Sequence, residues 1–162
     1  MTPGKVMTQR SMSSPRWPLA LLAAVILTAH ARAADDLVEF PKEYEAGTHY
    51  ATVNRGGIRE ELYTSRDAVQ AAKRREPVPD GTIITLVDYR DGKLFRYVVM
   101  EKRKGAGAAY PADLRNGDWR FQEFTTNRSV NRAEDGTRCM RCHKALERTD
   151  FVFTVTQMKG VK

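Results

Sequence analysis

Cys139, Cys142 and His143 fall within five residues, Cys-Met-Arg-Cys-His, near the end of a 162-residue chain. No other cysteine occurs in it. Two thiols separated by two residues, with an imidazole directly after, can do several kinds of chemistry. A structural zinc site asks for four protein ligands, and past the leader only His49 could join the cluster. Iron–sulfur clusters need more thiolates than the chain has. A redox Cys-x-x-Cys belongs at a strand end early in a βαβ unit, and this one comes late. A disulfide over so small a loop would constrain the unfolded chain little. The remaining reading is Cys-x-x-Cys-His as the attachment signature of c-type haem. Each thiol adds to one vinyl group of the porphyrin, and the histidine that follows ligates the iron. Cys139 and Cys142 are then the thioether anchors of one covalently attached haem c, and His143 is the metal ligand.

Export fits that chemistry. Lys5, Arg10 and Arg16 precede the apolar run Leu19 to Leu27, and Ala31-Arg-Ala33 follows. This is the three-part form of a secretory signal peptide, with an apolar run well short of the roughly 20 residues that span a bilayer. The expected organisation is a signal peptide over 1–33 and one haem c domain over 34–162, delivered to the periplasm. The leader carries four cations and no acid, so the net charge of +7 falls to +3 on cleavage. A charge so mild, with acids interleaved, gives no footprint for nucleic acid.

The elements that must position the motif are mostly extended. His49 to Thr64 contains two short strands broken at Gly56-Gly57, a turn signal. Ser65 can cap a helix over Asp67 to Arg75 with Ala68, Val69, Ala71 and Ala72 on its buried side. Thr82 to Tyr89 and Lys93 to Glu101 read as strands joined at Asp91-Gly92, a hairpin signal. Asp118 to Thr125 reads as another strand. The cysteine motif begins a short helix, and the alternating Phe151, Phe153 and Val155 predict a last strand over Phe151 to Thr156. The expected class is α+β, an antiparallel β-sheet flanked by short helices.

The sixth position of the iron decides the function. His49, Met100 and Met158 are the residues that could fill it and make an electron carrier. None stands out, which favours an iron open to small diatomic ligands. Mild basicity at Lys144 and Arg148 would suit an acidic redox partner protein.

The chain resembles the cytochrome P-460 family, which includes the β-sheet cytochromes c′-beta. The residues that carry the likeness are Cys139 to His143, Thr149-Asp-Phe-Val-Phe-Thr154, Gly117-Asp-Trp-Arg-Phe121 and Asp80-Gly-Thr82. The resemblance implies an antiparallel sheet with flanking helices, a homodimer, and a five-coordinate haem with an open distal face. Members divide by chemistry. The P-460 enzymes link a lysine to the porphyrin and oxidise hydroxylamine; the c′-beta members lack the link and bind nitric oxide or carbon monoxide. By alignment the lysine position falls near Leu86, and Ile83 to Tyr89 holds no lysine. Lys93 and Lys102 on the partner strand are the nearest. Leu86 is therefore expected in the cofactor site, as part of an apolar cap suited to apolar diatomics. A hydroxylamine-oxidising or peroxidase-like enzyme stays open as an alternative. It would need a distal acid–base group, for which Glu101, Glu123 and Arg96 are the strand candidates.

Overall fold

A computed structural model describes Met1 and residues 38–162. The expected signal peptide over 1–33 and residues 34–37 lie outside the described residues; the N-terminal arm described begins at Val38. Residues 38–162 belong to one compact unit.

Five strands make one sheet in the order of the sequence, every neighbouring pair antiparallel. They are β1 (Thr48–Arg55), β2 (Ile58–Thr64), β3 (Ile83–Arg90), β4 (Lys93–Lys102) and β5 (Trp119–Phe124). The β3–β4 turn puts Asp91 at φ 48° and Gly92 at φ 78°, the left-handed pair that a two-residue hairpin loop requires. The described residues also form three short α-helices, α1 (Arg66–Arg74), α2 (Thr137–His143) and α3 (Val155–Gly160), and three 3-10 turns. Ser65 Oγ accepts from Ala68 N at 3.2 Å, the N-cap bond expected of it, which typically stabilises a helix by about 1 kcal/mol.

The pleat sends alternate side chains to two faces. Leu62, Ile84, Met100 and Phe121 face the helices and pack with Ala68, Val69, Ala72, Met140 and Met158. Val87, Tyr97, Val99 and Phe124 face the other way and pack with Val38 and Phe40 of the N-terminal arm. The first face positions the site.

One expected element is absent. Phe151 to Thr156 is not a strand: the chain turns there and then enters α3. Asp150 and Phe151 both adopt left-handed backbone, at φ 51° and 60°, which ends any extended run. Met158 sits on α3, fully buried.

Candidate functional site: a histidine and two thiols on the wall of an apolar cavity

α2 is seven residues long and carries the whole motif. Cys139, Cys142 and His143 are spaced i, i+3, i+4, so they share one helical face. The helix starts at Gly136, whose φ of 78° is left-handed and where a Cβ would lie 2.9 Å from the Phe121 carbonyl oxygen; glycine meets both demands. The Asp135 carboxylate accepts from Thr137 N at 2.9 Å. Met140 anchors the opposite side, buried in the core, and its carbonyl accepts from Asn116 Nδ2 at 3.0 Å. Both thiols are free. Cys139 is half-buried, and burial pushes its thiol up against the opposing pull of Arg138, so it rests as the neutral thiol.

His143 is fixed from one side. Its Nδ1 lies 2.6 Å from the Phe151 carbonyl oxygen, and an imidazole can meet a carbonyl only as donor. That assigns the tautomer with hydrogen on Nδ1 and leaves Nε2 as the free lone pair. Burial lowers the proton affinity of the ring, with the Phe151 bond opposing it, which favours the neutral form a metal ligand needs. The rings of Phe121 and Phe153 flank the imidazole at 4.9 and 4.8 Å between centroids.

The carbonyl acceptor depends on the Asp150–Phe151 turn. Left-handed backbone costs about 1–2 kcal/mol for a residue with a side chain, so two in succession need support. Trp119 Nε1 donates to the Asp150 carbonyl at 2.8 Å. The Asp150 carboxylate accepts from Val78 N at 2.9 Å and from Lys102 Nζ at 2.7 Å. Gly117, also left-handed, lets the Phe151 ring approach: a Cβ there would lie 3.0 Å from it.

Cys139, Cys142 and His143 line a cavity of about 580 Å³ together with Leu86, a volume within the range of about 300–1,000 Å³ typical of small-molecule and cofactor sites. The four site residues expected from the sequence therefore border one space. The wall across from α2 is apolar, built from Val53, Leu62, Ile84, Val98 and Met100 beside Leu86. The register aligns them, with Leu62 opposite Leu86, Leu86 opposite Val98, and Ile84 opposite Met100. Four charged residues also line the cavity: Arg55, Glu60, Arg96 and Arg138. Arg96 is held by Asp88, its Nε donating to Oδ2 at 3.0 Å, and by Glu123. Asp88 is fully buried and also takes two bonds from Arg90, at 2.9 and 2.8 Å.

Other candidates are dispersed. Lys102 is bound to Asp150 and Val78, Lys93 is exposed beside the hairpin turn, and neither lines the cavity. His49 pairs with Glu61 at 2.7 Å, away from the cavity. Glu101 pairs with Arg120, Glu123 stands behind Arg96, and Met158 is core. Of the proposed sixth ligands, Met100 alone borders the space. The sequence reading missed the Phe151 carbonyl, because every residue type carries one; the left-handed pair that aims it has no local signature beyond Asp150.

The donor set suits an iron porphyrin. One imidazole nitrogen is free and its partner committed, two thiols lie on the same helical face, and a broad apolar wall stands opposite. Among the described residues no three His, Cys, Asp or Glu side chains form a metal-holding group. No curated protein matches the chain at a significant level. The family model described as cytochrome P460 matches residues 41–154, from the arm through all five strands and α2 to the turn that serves His143. The chain thus belongs to the cytochrome P460 family, and by that membership it is a haem-binding cytochrome.

Proposed function

We propose that the chain is an exported mono-haem c-type cytochrome whose open iron face binds nitric oxide or a similar small apolar diatomic ligand. Cys139 and Cys142 would hold the porphyrin through thioether bonds and His143 Nε2 would ligate the iron. When bound, the haem supplies an iron centre able to take a diatomic ligand and to change oxidation state. The observation that carries this reading is the Nδ1 bond of His143 to the Phe151 carbonyl, because it presents the other nitrogen as a neutral, oriented donor. The side chains of Leu86, Val98 and Leu62 offer no hydrogen bond to a charged ligand, leaving apolar diatomics relatively favoured beside them.

The export of the chain rests on the leader pattern and on the maturation chemistry of Cys-x-x-Cys-His; a homodimer and a redox partner protein rest on the resemblance alone. Expression in a host competent for cytochrome c maturation tests the core of the proposal. The expected product has a covalently bound haem by mass, a high-spin spectrum, and a ferrous form whose spectrum changes with nitric oxide or carbon monoxide. A colourless chain of unmodified mass, or a ferrous spectrum indifferent to both gases, refutes it.

A second reading is favoured by Arg96, which borders the cavity with Glu123 and Asp88 behind it. Such a permanently charged donor could hold a polar substrate and stabilise negative charge developing on it in hydroxylamine oxidation or peroxidase-like turnover. Steady-state turnover with hydroxylamine and an artificial acceptor separates the two, since turnover no faster than free haem removes the enzyme.

A further inference from the structure

Resting on that reading, we infer that Asp150, Lys102 and Trp119 are positioning residues that set the donor strength of His143. They act through one backbone carbonyl. The peptide between Asp150 and Phe151 is held on both sides: its carbonyl accepts from Trp119 Nε1 at 2.8 Å, and its N–H donates to the Leu146 carbonyl at 2.8 Å. The next peptide supplies the Phe151 carbonyl to His143 Nδ1 at 2.6 Å, while its own N–H donates to the Thr149 carbonyl at 3.0 Å. Peptide units are planar and rigid, so two pinned planes in succession leave the acceptor no room to swing away.

The pins reach far from the turn. Asp150 Oδ2 accepts from Lys102 Nζ at 2.7 Å and from Val78 N at 2.9 Å, and Lys102 Nζ also donates to the Val78 carbonyl at 2.7 Å. These three groups close a ring of bonds joining the end of β4, the segment after α1 and the turn. The Lys102 ammonium is largely shielded, at 13% side-chain exposure, and Asp150 is at 22%, so the pair is a fixed strut. The effect on the metal is electronic. A short, well-aligned acceptor on Nδ1–H raises the basicity of the opposite nitrogen and orients the ring. Lys102, one of the two lysines nearest the expected cross-link position, thus serves the iron from the proximal side.

The test compares Lys102→Met, Trp119→Phe and Asp150→Asn with the parent. The readouts are the ferrous iron–imidazole stretching frequency and the midpoint potential of the haem-loaded chain. The inference expects the frequency to fall and the potential to rise in all three variants, with Lys102→Arg returning both towards the parent values. Equal haem content with unchanged frequency and potential in Lys102→Met and Trp119→Phe overturns it. Trp119→Phe keeps a ring in the buried slot while removing the donor and some indole volume, and Lys102→Met leaves the core untouched, so agreement between these two decides the matter if Asp150→Asn does not fold. Nitrogen-15 spectra of the haem-free chain make the same measurement independently of haem. There, hydrogen held on Nδ1 in the parent and redistributed over both ring nitrogens in the variants supports the inference; the same tautomer in all of them overturns it. A parent chain that takes up no haem would defeat the proposed function, and the haem-free spectra would still judge the strut.

Discussion

Replacing Gly117 by alanine should damage the turn that serves His143, and its cost can be worked from the geometry. Gly117 has a φ of 55°, where any Cβ is strained, and its new methyl would lie 3.0 Å from Cε2 and 3.5 Å from Cδ2 of Phe151. The backbone part costs about 1 kcal/mol. The steric part adds about 1–3 kcal/mol, as overpacking a filled core does, because Phe151 is 8% exposed and enclosed by core side chains. Gly81→Ala is the control: its φ is 80°, with nothing within 4 Å of the added Cβ, so it should lose only the backbone part, about 1 kcal/mol. Urea unfolding of the haem-free chains measures both. Gly117→Ala should be less stable by about 2–4 kcal/mol, with the slope unchanged. Equal losses in the two variants, within about 0.5 kcal/mol, would refute the packing of Phe151 against Gly117 and with it the support assigned to the carbonyl.

Three more outcomes are expected. Cys139→Ser combined with Cys142→Ser should leave haem extractable by acidic solvent and the chain at its unmodified mass, read by mass spectrometry. Arg96→Leu strips one partner from fully buried Asp88 and should cost about 2 kcal/mol in urea unfolding, less than the 3–5 typical of a broken buried pair, because Arg90 remains; adding Asp88→Asn should recover part of the loss. The backbone N–H of Thr137 holds the Asp135 carboxyl below its usual range. Its contribution to stability is therefore complete above the unfolded-chain value of about 3.9 and is lost as pH falls through the depressed folded value, so the stability gap between the parent and Asp135→Ala should narrow below about pH 4.

What was legible in the sequence was what local physics decides. Asp91-Gly92 had to turn because two left-handed residues in a row suit few other pairs, and Ser65 had a free N–H three residues on to accept from. That Cys139, Cys142 and His143 would share one helical face was readable because the i, i+3, i+4 spacing is itself the constraint. The tail was misread for the converse reason. Phe151, Phe153 and Val155 alternate as a strand would, yet bonds from Trp119, Val78 and Lys102 hold Asp150 in a turn. Those partners lie 31 to 72 residues away along the chain, beyond the reach of any local pattern. His49 was ambiguous for the same reason: its partners Glu61 and Tyr63 lie on β2, across the sheet from β1, and hold it away from the cavity.

The two walls of the cavity come from separate stretches of chain. Residues 137–154 provide the thiols, the imidazole and its acceptor, whereas Leu62, Leu86 and Val98 project from strands completed before α2 begins. Holding the macrocycle and choosing what meets its far side are thus separable tasks. Under the proposed function, exchanges among those strand side chains would retune gas selectivity one position at a time without touching the residues that capture the cofactor, a division of labour that would leave one scaffold free to diversify.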